Sequence, residues 1–306
     1  MPAKKVTSSQ SKSNISQQVS RWFSGMLGTV ILCIVLIGIF IACSYAAWQK
    51  ISSRVLASPE YFVGPQQFEI TPQPPWIHQT DLRTEIYRDL SRHGPLSIMD
   101  DNLTERVAAA LLQQPWVYKV RQVSKQYPAT VKVDLIYRQP VCMVEIPGDV
   151  MPTPVDIEGT LLPKDEFSPV EAAKYPRLAG VDRGPMNPQR FGSRWGDSRV
   201  AGGAEIAAAL LPLWEKLKLQ RIVPIPAPAT ATGTEIPPGT ARSVSDYTFS
   251  IITHGGMRIL WGHSSAANMP GEPTTLQKVE KLKQSFAEHG SLDFPQGPRE
   301  MDLRRP

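Results

Sequence analysis

Cysteine is almost absent from this chain: there are three in 306 residues, and two of them, Cys33 and Cys43, lie inside one long apolar run. Cys142 is then the only thiol outside that run, so no internal disulfide can staple the rest of the chain. The body must rest on hydrophobic cores. Val141, Met143 and Val144 surround Cys142, which reads as a small buried hydrophobe rather than a nucleophile. Catalytic spacings are missing as well. The five histidines, His78, His93, His254, His263 and His289, form no H-E-x-x-H and no zinc-binding spacing. His254 and His263 stand at opposite ends of one hairpin pattern and read as solvated loop residues. Asp100-Asp101 precedes a helical pattern, so capping explains it better than paired acid–base carboxylates. No G-x-S-x-G and no phosphate-cradling glycine loop occurs. The expectation is a protein that is not an enzyme and that uses no cofactor or metal.

Charge is missing from residues 22–49, a stretch of 28 residues between Arg21 and Lys50. A helix rises about 1.5 Å per residue, so roughly 20 apolar residues cross a bilayer core, and Met26–Trp48 is long enough. Acid is missing from residues 1–21, which hold Lys4, Lys5, Lys12 and Arg21. That bias places the N-terminus in the cytoplasm and the bulk of the chain outside, with Trp22 and Trp48 bracketing the span as interfacial aromatics. Without those four, 29 of the 33 basic residues face 28 acidic ones. The exported part is near neutral, so the sequence pI of about 9.1 is no sign of a nucleic-acid partner. Ser44-Tyr45-Ala46 resembles a signal-peptidase site, and Phe40-Ile41-Ala42-Cys43 loosely resembles a lipoprotein box. The run exceeds the usual signal core of about 7–15 residues, and Phe stands where Leu is usual, so a retained anchor is expected.

The remaining organisation follows from periodicity. Residues 1–21 are polar and read as a disordered tail, and 50–60 read as a juxtamembrane linker. Residues 61–140 form a compact mixed α+β module. Tyr61–Val63 and Phe68–Ile70 suggest a short strand. Leu82, Ile86 and Leu90 mark a helix over Thr80–His93, capped by Thr80 and closed by Gly94. Leu103, Val107 and Leu111 mark a second helix, with Asn102 and Glu105 as a capping pair and Pro115 at its end. The period then shortens to two. A strand from Trp116 leads to a turn at Tyr127-Pro128-Ala129, and Val131, Val133, Leu135 and Tyr137 alternate along a second strand. The order is β-α-α-β-β.

Residues 141–306 read as a β-rich domain with covering helices. Val155–Leu162 suggests two strands around Gly159. Tyr247–Ile251 and Met257–Trp261 suggest a hairpin across Gly255-Gly256. A helix is expected around Ala204–Leu217, interrupted by Pro212. Another begins at the Thr274/Gln277 capping box, carries Leu276, Val279, Leu282 and Phe286 on one face, and stops at Gly290. Residues 186–203 and 224–243, rich in Gly/Arg and in Pro/Ala/Thr, read as surface insertions.

Gln114-Pro115-Trp116-Val117-Tyr118-Lys119-Val120, then Tyr127-Pro128, then Tyr137-Arg138-Gln139-Pro140-Val141 resemble the signature of a POTRA module. Here Pro115, Trp116, Val117, Tyr127, Pro128, Arg138 and Pro140 carry the likeness. With a basic tail and one span before it, and with Asp156–Gly159, Pro176–Gly180, Gly256–Gly262 and Met301–Arg304 after it, the whole order resembles the FtsQ/DivIB family of bacterial cell-division proteins. The resemblance implies a non-catalytic scaffold that holds small bitopic partners of the FtsB/FtsL kind and couples them to the septal peptidoglycan synthase complex. It implies an inner-membrane location at the septum. It also implies that the last strand, Met301, Asp302, Leu303, Arg304 and Arg305, is the partner-binding edge, a strand that runs further in relatives. A POTRA-bearing export component and a cell-envelope lipoprotein are the rival classes. Only one module is found here, with no repeated lipid-facing strands.

Overall fold

The computed structural model describes residues 11–305, apart from 57, 93, 228–242, 294 and 299. The chain divides into two compact units, residues 1–62 and 63–306.

In the first unit one helix, α1 (Ser11–Leu56), runs 46 residues without a break. Gly28–Ser52 within it is long and apolar enough to cross a membrane, with a mean hydropathy of 2.7. Two expectations are corrected here. Residues 11–21 of the expected tail are helical, and so are residues 50–56 of the expected linker. Nothing between Ser11 and Leu56 is a proline, and once the apolar run has nucleated a helix each added residue costs little. Residues 1–10 of the expected tail lie outside the described residues. Pro59–Tyr61 forms a single 3₁₀ turn rather than the start of a strand.

The second unit begins with the β-α-α-β-β order: β1 (Phe68–Ile70), α2 (Leu82–Ser91), α3 (Leu103–Gln113), β2 (Val117–Gln126) and β3 (Thr130–Tyr137). The three strands form a sheet in the order β1-β3-β2, with β1 parallel and β2 antiparallel to β3. Val131, Val133 and Leu135 point into a core with Phe68, Ile86, Leu103 and Leu111, as the alternation predicts. The caps differ from expectation. Asp81, not Thr80, caps α2 by accepting from the Arg83 amide. Asn102 precedes α3 but makes no side-chain cap bond, and Asp100 Oδ1 rather than Glu105 accepts the Asn102 backbone amide, at 3.0 Å.

A seven-stranded sheet follows, built from β4 (Cys142–Val144), β5 (Thr153–Val155), β6 (Arg177–Leu178), β7 (Leu219–Pro226), β8 (Tyr247–Thr253), β9 (Arg258–Gly262) and β10 (Glu300–Asp302). Its order is β10-β9-β8-β7-β6-β4-β5. The short helix α4 (Pro169–Ala172) precedes β6, α5 (Ser198–Leu210) lies between β6 and β7, and α6 (Thr275–His289) precedes β10. Of the two strands expected around Gly159 only β5 forms. The other side is a single antiparallel bridge, Val155 to Leu161. The β8–β9 hairpin and the α6 capping box are as expected.

The segment 186–203 is not wholly a surface insertion. Trp195 is buried, Arg194 bridges to Thr160, and α5 already starts at Ser198. The glycines that suggested a loop let α5 lie close on the sheet. A Cβ on Gly203 would fall 2.6 Å from Leu178, and one on Gly202 2.7 Å from the Phe249 ring. Gly203→Ala is therefore expected to destabilise by about 1–3 kcal/mol through overpacking, measured as a shift in the denaturation midpoint. α5 ends at Leu210 in a 3₁₀ turn, Leu211–Leu213, with Pro212 inside it. In the second expected insertion, residues 224–226 complete β7, and 228–242 lie outside the described residues.

The two sheet systems meet in a cluster of Ile77, Trp116, Met143, Leu162, Phe167 and Ala172. Glu166 joins them by polar contacts. It is 3 % exposed, and its two carboxylate oxygens accept the backbone amides of His78, Gln79 and Thr80 at 2.6, 2.6 and 2.9 Å. The Thr80 hydroxyl also donates to it, which is why Thr80 does not cap α2. Burial pushes the Glu166 carboxyl up, but the four donors outweigh that and hold it below its ordinary value.

Candidate partner-binding edge

A sheet grips another strand only where an edge is open, and three of the four edges among the described residues are closed or blunted. β1, no longer than β10, is hemmed by Pro65 before it and by Pro72, Pro74 and Pro75 after it. The outer side of β5 is taken by 160–162, where Leu161 bridges Val155 and the Leu162 amide donates to Pro154 at 3.0 Å. β2 is long, but its register slips twice, between Val117 and Lys119 and between Val120 and Gln122, and Lys119 and Arg121 are exposed along it. β10 remains. It pairs with β9 alone, in parallel, with Met301 opposite Ile259.

The edge is fixed from behind. Leu303 is buried and its amide donates to Leu260 at 2.9 Å, so the chain stays seated one residue past β10. The strand itself is shorter than Met301–Arg305: it runs Glu300–Asp302, and past Leu303 the Arg304 amide donates to Asp302 Oδ1 at 2.9 Å instead of to β9. Met301 is half-buried, whereas Asp302, Arg304 and Arg305 are exposed. Arg304 grips Asp302 with two bonds, Nε to Oδ1 at 2.9 Å and Nη2 to Oδ2 at 2.8 Å. The Arg304 bonds draw the Asp302 carboxyl down to about 2. Lys281 of α6 donates to the Arg305 carbonyl at 2.8 Å and ties the chain to the helix beside it.

Under this edge lies a charged cluster. The Lys278 ammonium sits 2.5 Å from Glu272 Oε1, donates to the His263 carbonyl at 3.2 Å, and lies 5.3 Å from the Trp261 ring centre. His263 Nδ1 is 2.8 Å from Glu272 Oε2. Burial raises the Glu272 carboxyl, yet the bonds from Lys278 and His263 hold it below its usual value. Gly262, at φ +89°, has no room for a side chain: a Cβ would lie 2.9 Å from Arg304 Cγ and would overlap Glu272 Oε1. His263 is thus hydrogen-bonded within a largely buried polar cluster around the Lys278–Glu272 ion pair, not the solvated loop residue that its place in the sequence suggests. The α6 face is also narrower than expected. Val279 and Leu282 are buried and Phe286 packs against the core, but Leu276 is 81 % exposed and stands near the start of α6.

The remaining residues singled out from the sequence do structural work elsewhere. Trp116, Val117 and Pro140 are buried, and Tyr127 and Pro128 form the β2–β3 turn. Arg138 pairs with Asp156 at 2.5 Å. The Cys142 thiol is fully buried and its pKa is pushed up by that burial, so it carries no reactive thiolate. No cluster of metal-ligating side chains occurs among the described residues. No known protein family and no curated protein matches the chain.

Proposed function

We propose that this protein is a non-catalytic, single-span scaffold of the bacterial division machinery, of the FtsQ/DivIB kind. Its N-terminus lies in the cytoplasm and its folded body outside the cell membrane, where it holds FtsB/FtsL-like partners beside the septal peptidoglycan synthase complex. The reading treats the β-α-α-β-β unit as a POTRA module. The observation that carries it is β10, a short edge strand paired on one side among the described residues, while β1 is hemmed by prolines, β5 is covered and β2 is blunted. An incoming segment would add to β10 through its free backbone N–H and C=O groups, and Arg304 and Arg305 would set its charge preference. The ordered succession of sequence signatures, the membrane-spanning helix and the want of any catalytic constellation support the same reading.

A photo-crosslinking residue at position 300 in the full chain tests the assignment in living cells. The expected product is an adduct with a small single-span protein, formed at the septum. Arg304→Glu with Arg305→Glu is expected to reduce it several-fold. An even membrane distribution, normal division on depletion, or an adduct indifferent to both charge reversals would count against the scaffold.

A further inference from the structure

Where the 75–78 segment meets α4 and the residues just after it, a slot of about 240 Å³ opens at the surface. Aromatic rings build it. Phe167, 7 % exposed, forms its floor. The Tyr175 ring stands edge-on to Phe167, with ring centres 5.7 Å apart and planes at 87°. Trp76 packs half-buried against the same cluster, and its indole N–H donates to the Arg138 carbonyl at 3.1 Å, which fixes the ring. Exposed Pro75 extends the wall. Rings held in this way lose little freedom when a ligand arrives.

The polar rim is one-sided. The Glu171 carboxylate is already committed: Oε2 accepts the Ser168 amide and hydroxyl at 2.9 and 2.8 Å, and Oε1 faces His78 Nε2 at 3.4 Å. The Tyr175 hydroxyl and the Lys174 ammonium, by contrast, make no hydrogen bond or ion pair among the described residues. The Tyr175 hydroxyl is open to solvent and Lys174 is exposed, so a ligand can reach both. The rim therefore has donors to spare and few acceptors. A sugar carries hydroxyl donors that need acceptors as well. Proline has no N–H, and in the polyproline II conformation its carbonyls stay free.

We propose that this slot docks a proline-rich segment of a partner protein in the polyproline II conformation. Proline rings lie against Trp76 and Tyr175 above Phe167, and the Tyr175 hydroxyl and Lys174 ammonium donate to carbonyls of the segment. Aromatic-lined grooves suit such a segment because it is extended before it binds and loses little entropy on docking. The slot shares no residue with β10, so it stands or falls apart from strand addition there.

The test titrates the full chain, held in lipid nanodiscs, into fluorescein-labelled decaproline and follows anisotropy, with an unlabelled glycine-serine decapeptide and chitotriose as competitors. The expected result is a saturable rise that neither competitor reverses. Tyr175→Phe removes only the unpartnered hydroxyl and is expected to weaken binding about fivefold, and Lys174→Met by a similar factor. An unchanged unfolding midpoint verifies both variants. The proposal is overturned by a rise that does not saturate, by displacement with the glycine-serine peptide or with chitotriose, or by a Tyr175→Phe chain that binds as tightly as the parent.

Discussion

Glu272→Ala is expected to lower the stability of the full chain by about 3–5 kcal/mol, the cost of stranding a buried charge. The substitution leaves the Lys278 ammonium, whose side chain is 3 % exposed, without its carboxylate. The His263 amide, which donates to Glu272 at 2.8 Å, loses its acceptor too. Denaturant unfolding followed by tryptophan fluorescence measures the loss. Glu272→Ala combined with Lys278→Met is expected to recover much of it, because no unpaired charge then remains. A double variant no more stable than the single one would refute the ion-pair account. The pH dependence has a definite sign. The Glu272 carboxyl titrates below its reference value of 4.5 in the folded chain, so its contribution is complete above about pH 4.5 and drains away as the pH falls towards the lower folded value. Glu272→Gln is expected to flatten the acid limb of the stability curve.

Glu166→Ala is expected to cost about 3 kcal/mol, because it removes at once the acceptor of three backbone amides and one hydroxyl. The loss falls between the two sheet systems, so the effect should also appear as faster hydrogen exchange at His78, Gln79 and Thr80. Thr80→Val alone removes one donor and is expected to cost about 1 kcal/mol. Glu166 also titrates below its reference value, and its contribution is lost over the same acid range. If exchange at those three amides is unchanged in Glu166→Ala, the carboxylate does not hold the 78–80 segment.

Much of the fold is legible where one force dominates. The alternation of Val131, Val133 and Leu135 and the helical spacing of Leu82, Ile86 and Leu90 both report a single buried face, and the structure places them there. The Thr274/Gln277 box and Gly290 bound α6 for the same local reason. The misreadings arise where a distant partner overrides a local signal. Thr80 looks like a cap until Glu166, far along the chain, takes its hydroxyl. Gly202 and Gly203 look like a loop until Phe249 and Leu178 are seen pressed against them. Leu276 fits an apolar spacing on α6 yet is exposed, because the buried face is centred on Lys278, Leu282 and Ser285, more than a quarter turn away. The cluster of His263, Glu272 and Lys278 joins a strand end, a loop and a helix, and no short spacing announces it. The β10 strand was legible in position but not in extent, since the spacing does not announce that Asp302 takes the Arg304 amide and ends the ladder.

The pattern of closed edges limits how many strands the folded body can accept. With β1 hemmed by prolines, β5 covered and β2 irregular and charged, β10 is the one edge among the described residues that the proposed scaffold would offer. If the proposed role holds, two guests that both arrive as strands would compete for the same berth, and copies of the body would find no second open edge among the described residues through which to polymerise sheet to sheet. A scaffold of the proposed kind would cap an assembly rather than propagate it.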